Sequence, residues 1–582
     1  MAKNHLRLVV GCGLIVALLL GAHAAWLYWN DRPPMWDSAL HLTYALRYLD
    51  YFRSGDFSLE GVLSLTPYYP PLYYLALLPV LALRAGPDAA TLLHWPFLAL
   101  LVGAVAWIGQ RCFGDRRAAL LAAFLAGTYP HVLWLCRDVL IDLEVVALTA
   151  AIVALGLTTR GFASRGWTLA LGGLSGAALL VKWTVAFYVG APLAVLAVAA
   201  WRSAPDRSER RRAAGNLLAA ALLAGLIAWP WYLKNIAFLV SHFLPYTQGL
   251  GSLEGDPGLW TLAGWTFYLR ALCSWQLFGP FFLLFLVAVA ALVRRHLARQ
   301  EAPPGTGPVA PGGKNTLALV LLLAWVAGPY LVFSLFANKA PRHITPVLPA
   351  VALLTAWFVV EVKAAWVRRG LAAAVVLTAL LQAWMVSFGL PALPERLKVV
   401  SLTAPAFQQR SVRFEGGRLA GETFFNWPDG WFLYQQDAFG LWGAPRRENW
   451  RIPKIIARTL AAPGPSAERT SLGLVPDAAR FNVWSFRATA CLMRRELAVW
   501  RIGSFDVAGT AFDPYRFVLV KDGDQGPAWG SADNGRLTEY VFTHPDRFAE
   551  AGRWPLPDGS TAWLFENRRW RWPAEPGWPP DF

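Results

Sequence analysis

Long apolar runs separated by short basic loops occupy the first two thirds of the chain. They lie near residues 8–28, 90–110, 118–135, 143–159, 167–181, 183–201, 215–234, 264–293, 316–336, 344–362 and 370–390. A helix must stay apolar for about 20 residues to cross the ~30 Å hydrocarbon layer of a bilayer, and these runs are of that order. The pattern predicts a polytopic α-helical membrane protein with about eleven spans, within bounds of roughly 10–13. A further run, 71–84, is apolar but short and rich in Pro. It reads as a helix at the membrane edge or packed on its neighbours.

After Pro394 the long runs give way to mixed sequence. Ser471–Val475 reads as a buried strand turned by Pro476 and Asp477, 480–495 as a helix, and Leu497–Ile502 as a second strand, a strand-helix-strand unit. Arg516–Val520 and Thr561–Phe565, each next to an Asp-Gly turn, supply further strands. The chain thus divides into a membrane domain, 1–394, and a C-terminal α/β domain, 395–582.

Composition agrees with the membrane reading, since 56% of the 582 residues are hydrophobic and 15% are charged, against about a quarter charged in soluble domains. The net charge of +16 sits largely in short loops: Arg202, Arg207, Arg210, Arg211 and Arg212 crowd one, and Arg294, Arg295 and Arg299 another. Such loops mark the cytoplasmic side, so the charge calls for no nucleic-acid partner. With Lys3 and Arg7 inside, every basic cluster falls on one side. That parity puts the N-terminus in the cytoplasm and places 29–70, 136–142, Lys182, 235–263, 337–343 and the C-terminal domain on the outer face. The first apolar segment is read as a retained helix, although Ala22, His23 and Ala24 imitate a signal-peptide cleavage site. Five scattered cysteines form neither a disulfide framework nor a metal box.

Candidate chemistry gathers on that outer side. Asp37, His41, Tyr44 and Tyr48 recur at spacings of 4, 3 and 4, the interval of one helix face, while Leu42, Ala45, Leu46 and Leu49 recur on the other. Asp37 suits a general base near the bilayer surface; it would equally serve as a helix cap. Arg137, Asp138 and Asp142 lie close to hydrocarbon, where charges usually mark function or a partner, the plainer account being an Arg–Asp surface pair. Lys182 interrupts an apolar stretch and must snorkel or find an anion. Lys339, Arg342 and His343 form a basic group on the side that disfavours positive charge, which calls for something anionic, a headgroup or a phosphate. A divalent metal between Asp37 and Asp142 is a further option.

These motifs resemble, in order, those of the membrane glycosyltransferases with the C-type (GT-C) fold. The acidic residue after the first span, the Pro70–Pro71–Leu72–Tyr73–Tyr74 re-entry, the Arg137 to Asp142 segment, Lys182 before Trp183, and Lys339 with Arg342 each match a family position. The resemblance is to the family 39 type, which includes protein O-mannosyltransferases and aminoarabinose lipid A transferases. It implies transfer of a sugar from a polyprenyl-phosphate donor to a protein, lipid or glycan acceptor, with inversion, in a bacterial inner membrane. Asp37 would be the base, Lys339, Arg342 and Lys182 would hold the donor phosphate, and Asp142 would act in the cavity with His41, Tyr69, Arg137, Asp138 and His343 nearby. Ser38 stands where the family commonly has Glu, Trp183 where it has Gly, and His343 where Tyr is commoner. The alternative of another class is a transporter or flippase of lipid-linked saccharides, although the two halves show no matching broken helices.

Overall fold

A computed structural model describes residues 2–248, 256–300, 314–389, 410–423, 444–461 and 470–571. Among them, eight helices are long and apolar enough to cross a membrane, and all eight coincide with expected runs. The first half contains α1 (Ala2–Trp29), α2 (Trp36–Arg53), α3 (Leu59–Ser64), α4 (Leu72–Leu83), α5 (Pro87–Thr91), α6 (His94–Phe113), α7 (Arg116–Thr128), α8 (Pro130–Leu135), α9 (Asp142–Thr158), α10 (Arg165–Leu179), α11 (Val185–Ser203) and α12 (Arg207–Gln248). Helices α13 (Leu262–Trp265), α14 (Phe267–Ala271), α15 (Phe278–Gln300), α16 (Lys314–Ser334), α17 (Leu348–Val360) and α18 (Ala365–Phe388) complete the membrane part.

Three expected runs form helices shorter than those eight. The run 118–135 breaks at Pro130 into α7 and α8, while α9 and α10 have 17 and 15 residues. In α9 all but three of the residues are buried, so it is apolar all round because protein surrounds it. The expected run 264–293 is likewise interrupted, by α13, α14 and a π turn at Leu272–Gln276 before α15 begins. Helix α4, with 12 residues, rises about 18 Å and packs on α2, as the short run 71–84 suggested.

One close helix crossing follows from small residues. Gly172 and Gly176, four apart on α10, face Ala220 and Ala224 of α12, and a methyl group on Gly172 would come within 2.3 Å of the Ala220 carbonyl oxygen. Small residues at this spacing let two membrane helices approach backbone to backbone. Gly172→Ala is therefore expected to force α10 and α12 apart at a cost of about 1–3 kcal/mol. Thermal unfolding in detergent should show a lower midpoint than wild type, and an unchanged midpoint would contradict the packing. Away from this seam α12 exposes Leu218, Leu222, Leu226, Trp229 and Leu233, an apolar face suited to lipid.

The domain boundary at 394/395 lies outside the described residues. The C-terminal part holds β1 (Arg410–Glu415), β2 (Arg418–Thr423), α19 (Ile452–Leu460), β3 (Ser471–Leu474), α20 (Val483–Leu492), β4 (Ala498–Arg501), β5 (Phe517–Lys521), β6 (Gly523–Pro527), α21 (Ala528–Ser531), α22 (Asn534–Thr543), β7 (Phe548–Pro555) and β8 (Thr561–Asn567). Its main sheet runs β4-β3-β5-β8-β7; β3 pairs in parallel with β4 and β5, and β8 pairs antiparallel with β5 and β7. The strand-helix-strand unit is thus β3, α20, β4. A second sheet has the order β2-β1-β6. Ile455, Ile456, Phe481 and Phe486 fill the core on one side of the main sheet, and Leu537 and Val541 belong to a separate cluster with Val518 and Val520.

Candidate functional site

Helix α2 begins after Pro33 and Pro34, which stiffen the approach, and Met35 stands at its N-cap in extended conformation with no side-chain cap. Asp37 is in the first turn, where a negative charge suits the helix dipole. It does not cap the helix. Its Oδ2 instead accepts a hydrogen bond of 2.5 Å from Nη2 of Arg342. Arg342 is carried by a 3₁₀ turn, Pro341–Val347, that leads into α17, so the pair joins parts of the chain 305 residues apart.

The rest of the polar face of α2 is packed by the segment around Pro70 and Pro71. His41 Nδ1 lies 2.8 Å from the Tyr74 hydroxyl and its ring meets Tyr69 edge-on at 4.8 Å. Tyr48 stacks on Tyr74, and its hydroxyl donates to the Val62 carbonyl at 2.9 Å. Burial lowers the His41 imidazole to about 4, despite the pull of Asp37, so the ring is neutral at pH 7. Burial alone would raise the Asp37 carboxyl, but the Arg342 guanidinium holds it below its ordinary value. Asp37 still keeps 40% of its side-chain surface open. A group so surrounded and yet accessible sits in a recess.

Beside this pair lies a second. Asp142 opens α9, and its Oδ1 accepts from Lys182 Nζ at 2.8 Å, with 7% and 11% of the two side chains exposed. Lys182 therefore finds an anion within the protein rather than snorkelling. Arg342 lies in electrostatic reach of both carboxylates, so Asp37, Asp142, Arg342 and Lys182 form one balanced cluster. His343 stacks on Phe333 with centroids 5.2 Å apart, and Lys182, Arg342 and Asp142 all act on it electrostatically.

Three expected members point elsewhere. Lys339, 5% exposed, donates to the carbonyls of Ser334 at 3.0 Å and Phe336 at 2.9 Å, where its charge satisfies the C-terminal end of α16. Burial lowers this ammonium to about 8, although Asp256 opposes the shift. Arg137 does not pair with Asp138. Its guanidinium donates to the Val386 carbonyl at 2.9 Å and to Ser387 Oγ, at the end of α18, while the Asp138 carboxylate accepts from Trp134 Nε1 at 3.0 Å. Both line a separate cavity of about 30 Å³ with Arg32 and Arg480.

Sequence reasoning missed a buried pair, His94 and Glu144, 2.8 Å apart and each 1% exposed. It also missed the fully buried His131, whose ring lies 4.7 Å from that of Trp134. The available signal was the polar residue at the start of an apolar run, since ionisable groups at membrane depth are usually functional or paired. The donor set does not fit a metal: each site carboxylate already faces a cation, and among the described residues no three His, Cys, Asp or Glu side chains gather.

No protein-family model matches the chain, and no curated protein matches it. Solved structures do resemble it. ArnT from Cupriavidus metallidurans aligns over 95% of this chain and 97% of its own at 14% identity, with a TM-score of 0.53 in the apo state and 0.52 when bound to undecaprenyl phosphate. The Archaeoglobus fulgidus oligosaccharyltransferase tethered to an acceptor peptide aligns over 98% of this chain and 74% of its own at 10% identity, with a TM-score of 0.50. Identities this low speak to architecture alone. With eight apolar helices of spanning length, the conserved course of the chain makes this an integral membrane protein with the GT-C glycosyltransferase fold and a C-terminal region of mixed sheets.

Proposed function

We propose that the chain is a membrane glycosyltransferase that moves one sugar from a polyprenyl-phosphate donor to an acceptor hydroxyl or amine on the outer face, with inversion. The observation that carries this reading is the Asp37–Arg342 pair, a carboxylate and a guanidinium held together in a recess. ArnT, whose architecture is similar, binds undecaprenyl phosphate. We place the protein in a bacterial inner membrane, with its N-terminus in the cytoplasm and its C-terminal domain outside.

The pair suits a resting state that the donor opens. A phosphodiester offers the Arg342 fork two oxygens, which compete with Asp37 for the same donors. Once the phosphate takes Arg342, the carboxylate loses its strongest stabilising neighbour and becomes a better base. Asp37 then removes the proton of the acceptor as its oxygen or nitrogen attacks the anomeric carbon opposite the phosphate. The bond from that carbon to the phosphate oxygen breaks, and Arg342 stabilises the charge that develops on the departing polyprenyl phosphate. Such a leaving group needs no strong acid, so one carboxylate suffices. Asp142 and Lys182 shape the cavity and balance its charge. Lys339, whose donors serve α16, has no part in this scheme.

A pH prediction follows from the sign of the Asp37 shift. The active form is the deprotonated one, and in the free protein Arg342 holds that form to lower pH. The acid limb of kcat/KM, which reports the free enzyme, is expected below the ordinary carboxylate range, leaving kcat/KM flat from about pH 7 to about pH 5. The limb of kcat should lie at higher pH, because the bound donor has taken Arg342. Coincident limbs would contradict the exchange of partners.

The test of the function uses protein in nanodiscs with labelled polyprenyl-phosphate sugars, and lipid-diphosphate sugars beside them. Sugar transferred or released from the monophosphate series supports the reading. Turnover confined to diphosphate donors would instead make the protein an oligosaccharide transferase. Lipid moved across the bilayer with no sugar transfer would replace the enzyme by a transporter.

A further inference from the structure

We infer that the C-terminal domain is a clamp on the first turn of α2, and that Trp36 and Arg480 are positioning residues for Asp37. The inference rests on the reading of Asp37 as the base.

A helix start leaves its first amides without partners inside the helix, and Met35 offers α2 no side-chain cap. The C-terminal domain takes that place. The Trp36 amide donates to the Ala479 carbonyl at 3.3 Å, and the Trp36 indole N–H to the Asp477 carbonyl at 3.2 Å. Immediately upstream, the Arg480 guanidinium donates to the Pro33 carbonyl at 2.6 Å, and the Ser485 hydroxyl to the Pro34 carbonyl at 3.3 Å. Three of the four residues directly before Asp37 are therefore tied to one segment, 477–485, more than 440 residues away in sequence. Further along, Trp484 of α20 meets Tyr44 of α2 with ring centroids 6.1 Å apart.

The segment that supplies these contacts is itself braced. The Asp477 amide donates to the Gln525 carbonyl at 2.9 Å, and its carboxylate pairs with Arg501 Nη1 at 2.8 Å. Asn482 caps α20 through the amides of Trp484 and Ser485 and donates back to the carbonyls of Ala478 and Ala479. Gly526, at φ +98°, lets this backbone approach, since a methyl group there would meet the Asp477 carbonyl oxygen at 2.1 Å. The sheet of the C-terminal domain thus fixes a pair of carbonyls, and those carbonyls fix the residue next to the base. Catalysis is sensitive to such placement, because a displacement of about 1 Å can cost roughly 100-fold in rate.

The experiment compares wild type with Trp36→Phe, which keeps a ring and removes the indole donor, and with Arg480→Gln, in the full-length protein in nanodiscs. Amide hydrogen exchange over the first turn of α2 is expected to speed up about tenfold in each, with exchange in β3 and β5 and the thermal midpoint unchanged. On the donor that wild type uses, kcat should fall about tenfold or more while KM stays within about twofold, because the base moves and the phosphate site does not. Unaltered exchange at α2 would overturn the clamp. Faster exchange with unchanged kcat would overturn the positioning role. If wild type moves no sugar from any donor, the reading of Asp37 as base falls, and the exchange measurement alone still decides whether the clamp exists. Should Trp36→Phe fail to fold, Arg480→Gln carries both readouts.

Discussion

Asp37→Asn is expected to lower turnover by about 10³-fold while leaving the donor bound at least as tightly as in wild type. A positioned general base typically contributes about 10²–10⁴-fold, and a carboxamide of the same shape cannot accept the proton. It can still accept a hydrogen bond from Arg342, so the recess should keep its form. Donor affinity carries the sharper half of the prediction. In wild type the phosphate must displace Asp37 from Arg342, whereas in the variant it competes with a neutral group. Titration of the purified proteins with polyprenyl phosphate and single-turnover assays with the sugar donor separate the two effects. A variant that turns over normally would remove Asp37 from the chemistry. One that binds the donor much more weakly would mean that the carboxylate, and not Arg342, organises the phosphate site.

Lys182→Met should destabilise the membrane part by about 3–5 kcal/mol, the usual cost of removing one partner from a buried ion pair. With Lys182 gone, Asp142, 7% exposed, would lose its nearest cation. Arg342 is near enough to offset part of that loss, which favours the lower end of the range. Thermal unfolding of the single variants and of Lys182→Met combined with Asp142→Asn provides the check. The double variant is expected to recover much of the stability, because it removes the unpaired buried carboxyl, and to remain impaired in transfer. Equal midpoints for wild type and Lys182→Met would show that the pair contributes nothing to the fold.

The apolar runs at 8–28, 90–110 and 370–390 were legible because a membrane span is written in consecutive residues, and the same holds for β3, α20 and β4, where period and turn residues agree. Legibility was weaker inside the bundle, where an apolar run does not tell protein from lipid as its neighbour. The run 118–135 breaks at Pro130 into α7 and α8, and α9, within 143–159, has all but three of its residues buried. Arg137 and Asp138, adjacent in sequence, read as a pair, but their side chains turn to α18 and to Trp134. Lys339 and Arg342, three residues apart in one basic group, were both expected at the donor phosphate, Arg342 foremost for its fork. One caps the end of α16 and the other reaches Asp37, a difference decided by where each lies on its turn.

By itself the sequence determined the membrane class, the order of the helices, the α/β character of the C-terminal part, and the placing of Asp37 at the start of a helix with one ionisable face. Each of these depends on spacing over a few residues, and hydrocarbon and water sort such spacings locally. Only the tertiary structure decided which charges meet. Asp37 and Arg342 are 305 residues apart and Asp142 and Lys182 are 40 apart, and an ion pair forms between whichever groups the packing of helix ends brings within about 4 Å. The hold of the C-terminal domain on Trp36 was hidden for the same reason, since both partners are backbone carbonyls, which every residue carries and no sequence pattern marks.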